Sequence, residues 1–335
     1  MEAHERRCAS FTHTPNRIKI EPTAFAFLCG SVYSAAPMSF IKLSRFFLPL
    51  SGLLVLASLV VLFNPGPNVS IEFTGGTLIE LSVPQTKTKD DLFNAVHAFM
   101  VAGKPLDPSI SRTKTGTYFV KVATLTNENH TALLKKLNDS MGAVNELQYT
   151  TIGPTVGANL KQRAFWALTI ASLTIMAFVA FAFRKVPRSL NPWSFGLSAI
   201  VALIHDISIL LGVFTILSYV TTFQVDTLFI TALLSIMGHS VSDTIVIFDR
   251  IRETLLHGDK HDSFAHIADK ALHACISRTV NTGIGILIML TSLFFFGSES
   301  IRWFILALII GTVVGMYSSY FIATPILVLW KKRER

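Results

Sequence analysis

Residues 227–248 read TLFITALLSIMGHSVSDTIVIF, a run apolar enough to cross a bilayer that nonetheless carries Asp243. A spanning helix needs roughly 20 predominantly apolar residues. A carboxylate inside such a run is costly, and ionisable groups within spans generally face a bundle interior or a wet cavity and belong to ion or proton paths. His239 stands four residues earlier, so on a helix the imidazole and the carboxylate share one face. Two titratable groups on one stripe make this segment the candidate centre of function.

Working outward, the whole chain reads as a membrane protein. Hydrophobic residues make up 51% and charged residues only 15%, with a mean hydropathy of +0.52, far from ordinary soluble composition. Apolar runs at 38–63, 163–183, 193–217, 227–248, 279–297 and 302–330 predict six spans. Residues 1–37 form a mixed, mildly basic extension with an apolar patch too short to span. Met38 opens MSFIKLSR, a basic leader into the first run, and is the expected start of the protein. The alternative is a disordered arm or a processed leader, although no A-x-A-like cleavage signature follows a proper apolar core.

The net charge of +8 and pI of 9.5 reflect topology, because the cations cluster in alternate connections. Lys42 and Arg45 precede span one, Arg184, Lys185 and Arg188 separate spans two and three, and Arg250 and Arg252 follow span four. Lys331, Lys332, Arg333 and Arg335 make up most of the tail, 331–335. The positive-inside rule puts all four sites in the cytoplasm, and with them both termini. The connection 249–278 is then cytoplasmic, with Asp249, Arg250, Arg252 and Glu253 on the solvated face of an interfacial helix running through Leu256. No aromatic-basic motif accompanies the charge, so nucleic acid is not an expected partner. Cys8, Cys29 and Cys275 show no metal-ligand spacing, and no disulfide is expected.

One connection, 64–162, is long enough to fold by itself, and the charge rule places it outside. Residues 70–83 alternate toward strand, 89–100 have helical periodicity, and 110–114 and 118–123 flank a turn at Gly116. A second helix at 127–141 and a last strand at 144–151 complete a β-α-β-β-α-β order, the ferredoxin-like split α+β arrangement. Asn127 is the expected N-cap of the second helix and Gly142 its C-cap. The domain has no nucleophile with a base, no metal cluster and no phosphate-cradling loop, which makes it a surface for protein contact and argues against an enzyme. The expected architecture is a polytopic α-helical membrane protein, a six-span bundle with one extracytoplasmic ferredoxin-like domain between spans one and two.

Within the other spans, His205 and Asp206 are adjacent, so they are expected to point to different sides, with at most one in the cavity of Asp243. Asp206 is a second relay candidate, weighed against a packing role. Gly283 with Gly285, and Gly311 with Gly315, offer small faces for close helix packing, the latter pair against span four or a partner subunit.

At Glu72-Phe73-Thr74-Gly75-Gly76 the chain resembles the Phe-Thr-Gly-Gly signature that opens the large outer loop of the SecD/SecF family. Further matches follow in order. They are Gly153-Pro154-Thr155-Val156-Gly157, residues 202–206, the long motif GHSVSDTIVIFDRIRE at 238–253, Ser277-Arg278-Thr279, and residues 311–325. Together they cover 38–330, and one six-span unit with a modest outer domain is similar to the SecF branch. The resemblance implies an RND-type bundle in the bacterial plasma membrane that uses the proton gradient, with no bound cofactor or metal, to promote late steps of protein export. Implied partners are a SecD-type subunit, the SecYEG translocon, YajC as a further associate, the translocating preprotein and membrane lipids.

Carried over by motif, Asp243 is the carboxylate of proton passage and Arg278 its basic partner. Phe73, Thr74, Gly75, Gly76, Gly238, Asp249 and Arg250 are motif residues. The family commonly has Tyr and Asn where this chain has His239 and Ser242, and Asp where it has Glu72. His239 is then either an added proton carrier or a substitute for a hydrogen-bonding phenol. Two other readings stay open: an RND-type exporter of small molecules or lipids, and a passive scaffold in which Asp243 only pins helices by pairing with Arg278.

Overall fold

The computed structural model describes residues 39–84, 86–113, 116–184, 191–257 and 262–333. The extension 1–37, the expected start at Met38, and Cys8, Cys29, Lys114, Lys185, Arg188 and Arg335 lie outside the described residues.

Among the described residues, six helices are long and apolar enough to cross a membrane. Span one is Phe40–Phe63, span two Pro154–Ala182, span three Pro192–Val220, span four Thr227–His257 and span five Phe264–Phe296. Span six is composite: Arg302–Ser318, a π-helical stretch Ser319–Ala323, then Thr324–Arg333. In spans three, four and six, 44%, 44% and 50% of the apolar window is buried, against 6%, 11% and 17% in spans one, two and five. The former three therefore make the centre of the bundle. Small residues set their approach. A Cβ on Gly311 would lie 2.3 Å from Cδ1 of Ile236, and one on Gly315 would lie 3.0 Å from Cβ of Ser240, so this pair packs span six on span four. Gly283 abuts Met316 in the same way, whereas Gly285 faces open space and does not serve the packing expected of it.

Several boundaries differ from the sequence reading. The helix of span two begins at Pro154, nine residues before the expected 163, because Pro154 follows Gly153 at a favourable first helical position and nothing interrupts the helix afterwards. The helix of span four runs on to His257, so the expected interfacial helix is its own last turns. There Arg252 pairs with Asp249 at 2.7 Å and Arg250 with Glu253 at 2.6 Å, both three residues apart. Span five starts at Phe264, where Ser263 caps the amide of His266.

The outer domain has a four-stranded antiparallel sheet of order β4-β5-β1-β6, with β1 at Gly76–Ser82, β4 at Ser109–Arg112, β5 at Tyr118–Val122 and β6 at Asn145–Ile152. Helices Lys89–His97 and Asn127–Met141 bury Leu92, Val96, Leu133 and Leu137 against Ile79, Leu81 and Val120. This is the ferredoxin-like order with one addition, a ribbon of β2, Met100–Val101, and β3, Lys104–Pro105. Its turn uses Ala102 and Gly103 at φ of 51° and 77°. The N-cap of the second helix is Thr126, which accepts from the amide of Asn129, and not Asn127. Gly142 closes that helix at φ 85°, as its position foretold. Residues 71–74, read as strand, form a one-turn helix, Ile71–Thr74, capped by Ser70.

Candidate functional site

The centre of the bundle holds a closed polar knot. Asp206 is buried, with one carboxylate oxygen 3.0 Å from Nδ1 of His205 and the other accepting from Ser240 Oγ at 2.6 Å and Ser318 Oγ at 2.8 Å. The carboxylate thus joins spans three, four and six. Contrary to the expectation from adjacency, His205 and Asp206 come together, because both side chains swing toward each other within the same buried layer. The knot extends to Thr244 and Ser319, whose hydroxyls are 2.9 Å apart. A further bond, Ser51 to Tyr317 at 2.6 Å, ties span one to span six. Ser318 and Ser319 enter the π-helical stretch, whose wider turn is a deviation that recurs at functional sites. Nε2 of His205 is buried without a hydrogen-bond partner among the described residues.

Asp243 has a different setting. It is half-buried, and among the described residues nothing hydrogen-bonds or ion-pairs with its carboxylate. His239 stands four residues before it on span four, and Arg278 lies on span five. Among the described residues Arg278 makes no ion pair with Asp243. His239 is half-buried, and its Nδ1 has no partner among the described residues. Beside Asp243 an exposed polar strip runs along span four through Ser235, Gly238 and Ser242, and along span five through Arg278, Asn281 and Thr282. At one end of this strip a cleft of about 450 Å³ is lined by Asp249, Arg250, Arg252, Glu253 and Arg278 above a floor that includes Cys275.

The Phe-Thr-Gly-Gly segment lies at the other end of the bundle. Phe73 is buried among Phe214, Phe223 and Phe229 of spans three and four and the loop between them. Gly75 sits at φ 72°, and a Cβ there would come 2.8 Å from Cα of Pro154; a Cβ on Gly157 would come 2.8 Å from the nitrogen of Gly75. These glycines let the one-turn helix touch the start of span two backbone to backbone. Thr74 Oγ1 donates back to the carbonyl of Ser70 at 3.2 Å. Glu72 crosses to span four, where its carboxylate accepts from the amide of Thr227 at 2.7 Å and from the Thr227 hydroxyl.

Residue-type reasoning missed Ser240, Thr244, Tyr317, Ser318 and Ser319, and it missed the reach of Glu72. The signal available was the run of hydroxyls within otherwise apolar spans.

The family model described as "Protein export membrane protein SecD/SecF, C-terminal" matches residues 132–333. The chain belongs to the SecD/SecF family. The protein translocase subunit SecF of Thermobaculum terrenum is 35% identical over 293 residues, covering 85% of this chain and 91% of that protein. The SecF subunit of Helicobacter pylori strain J99 is 33% identical and covers 87% of each chain. Among solved structures, the SecDF crystal structure from Thermus thermophilus, described as a translocon-associated membrane protein, aligns with a TM-score of 0.77. It is 28% identical and covers 98% of this chain. A SecDF structure in a super-membrane-facing form aligns with a TM-score of 0.63 at 29% identity. This chain spans 42% and 39% of those two SecDF chains. The SecD/SecF resemblance read from the motifs therefore holds, and so does the six-span fold with a ferredoxin-like domain.

Proposed function

We propose that this chain is a SecF-like subunit of the bacterial inner membrane, with both termini in the cytoplasm. It pairs with a SecD-type subunit, works beside the SecYEG translocon with YajC as a further associate, and uses the proton motive force to promote late steps of preprotein export. The observation that carries this reading is the contrast around Asp243, a membrane carboxylate with no hydrogen-bond or ion-pair partner among the described residues that borders an exposed polar strip. Seryl, asparaginyl and guanidinium groups left facing hydrocarbon are costly, so such a strip calls for protein or water against it. A second six-span half supplies that cover. The SecDF structures support the idea, since this chain matches about two fifths of each and leaves length for such a half.

In this reading the proton path runs through Asp243, with Arg278 and His239 setting its charge balance and Asp206 behind them. A carboxylate loads or releases a proton when its distance from a cation changes. Moving one proton across 100 mV is worth about 2.3 kcal/mol, enough to bias a two-state packing equilibrium. The small, compact outer domain favours this reading over a small-molecule exporter, which would need more outer structure to enclose a substrate.

The test is export of a slow secretory protein in cells depleted of their own SecF and supplied with this chain or its Asp243→Asn form at matched membrane abundance. Rescue by the unaltered chain alone is expected. Equal rescue by both would reduce Asp243 to a structural role and sink proton coupling through it.

A further inference from the structure

Glu72 belongs to the outer segment, yet its carboxylate takes two donors from Thr227, 155 residues away on span four. Thr227 opens the same helix that carries Asp243, and sixteen residues of helix place the two about 24 Å apart along it. The helix does not need Glu72 as its cap. Asp226 already fills that role, accepting from the amide of Phe229 at 2.8 Å while its carbonyl takes the amide of Ile230. The bond from Glu72 is therefore surplus to the helix and joins two elements.

The surroundings make this joint stiff. Ser70 donates its amide to the carbonyl of Val225 at 2.9 Å, and Val225 donates to Asn68 at 2.8 Å, so the segment before Glu72 is bridged to the loop before span four. Asn68 also donates to the carbonyl of Ser218 at 2.6 Å. Lys121 of β5 donates to the carbonyl of Val69 at 2.7 Å, which brings the sheet into the same clamp. On the other side, Gly75 and Gly157 seat the one-turn helix against the start of span two.

We propose that Glu72 is a positioning residue, the pin through which the outer domain follows the axial position of the Asp243 helix, with the helix Ile71–Thr74 as the hub between span four and span two. This rests on the reading that Asp243 couples the gradient to export. It assigns a mechanical task to the Phe-Thr-Gly-Gly segment: Phe73 anchors the hub in the bundle, the two glycines let it sit on span two, and Glu72 ties it to the moving helix. A shift of span four then reaches the sheet without passing through the end of span one.

The experiment uses inverted membrane vesicles from SecF-depleted cells that carry the full chain at matched abundance, with export measured with the gradient intact and again with it collapsed by a protonophore. Glu72→Ala is expected to lose about fivefold or more of the gradient-dependent increment, the lower end of typical coupling between sites, while gradient-independent export is unchanged. Glu72→Gln keeps the chain length and an acceptor oxygen and should retain most of the increment. Thr227→Pro removes both donors while placing proline at a first helical position that accepts it, and should reproduce Glu72→Ala. Asp226→Ala removes the cap and leaves the pin, so the increment should persist. A full increment in Glu72→Ala or Thr227→Pro, together with its loss in Asp243→Asn, overturns the pin and leaves proton coupling standing. A full increment in all three, Asp243→Asn included, overturns the proton-coupled reading itself. An equal fall in both gradient-dependent and gradient-independent export would mark Glu72 as merely structural and also overturn the proposal.

Discussion

Asp206 and Asp243 are both carboxylates in apolar helices of one bundle, and the protein treats them in opposite ways. Asp206 is sealed, with His205, Ser240 and Ser318 around its two oxygens. Asp243 is half-buried beside an open polar strip, and among the described residues nothing hydrogen-bonds or ion-pairs with its carboxylate. A saturated group resists changing its charge or its place, because every change orphans a donor. An unsaturated one can change both at small cost. The difference teaches that burial of a charge does not by itself mark the working group; the count of its bonds separates a rivet from a switch.

The largest effect should come from breaking the rivet. Asp206→Ala strips His205 Nδ1 and Ser240 Oγ of their buried partner, while Ser318 keeps the Gly315 carbonyl, and is expected to cost about 3 kcal/mol or more, read as a fall in the unfolding midpoint of the purified chain in detergent. Asp243→Asn, which breaks no bond among the described residues, should cost less than about 1 kcal/mol in the same assay. Equal losses would erase the distinction between the two sites.

How much of this was legible beforehand follows from the same distinction. The six spans and the outer domain could be read because apolar runs and alternating patterns are local signals. The pairing of His205 with Asp206 was not, because the rule that adjacent helical residues diverge describes Cα directions and not the swing of two side chains. Ser240 and Ser318 gave no local sign, since a hydroxyl in a span serves its own helix as readily as a neighbour, as Ser198 does in bonding back to Ser194. The one-turn helix at Ile71–Thr74 was lost because its apolar alternation continues into β1; only the cap by Ser70 and the positive φ of Gly75 and Gly76 separate the two. After span four a helix was expected through Leu256, and the helix runs on without a break to His257. Asp249, Arg250, Arg252 and Glu253 mark where the apolar run stops, yet charges paired three apart sustain a helix as well as apolar residues do.

A smaller effect sharpens the comparison within the knot. Ser318→Ala removes one of the three contacts to Asp206 and should cost about 1 kcal/mol, whereas Ser242→Ala, one residue from Asp243 on the exposed strip, should stay within about 0.5 kcal/mol in the isolated chain. Adding the SecD-type partner should reverse that ranking for assembly, with Ser242→Leu weakening co-purification more than Ser318→Ala does. Unaltered co-purification of Ser242→Leu would argue that the strip faces water and not a subunit.

The smallest effect carries the contrast outside the membrane, where protonation can be followed directly. Burial pushes the Asp226 carboxyl above its ordinary value, the amide of Phe229 opposes this, and the nearby charge of Glu72 adds to the rise. Asp91 goes the other way, its carboxyl held down by the backbone amide and hydroxyl of Thr88. An acid whose folded pKa is raised binds more protons folded than unfolded, so its contribution to stability grows as pH falls through that raised value and is lost as pH climbs. An acid whose folded pKa is lowered contributes above its unfolded value, and that contribution fades on acidification. Asp226→Asn should therefore flatten the stability profile just above the ordinary carboxylate value of 3.8, and Asp91→Asn should flatten it just below. Measured as differences from the unaltered chain across mildly acid pH, the two slopes should have opposite signs. Slopes of the same sign would mean that bond count does not govern how this protein holds its carboxylates, and the contrast between Asp206 and Asp243 would lose its physical basis.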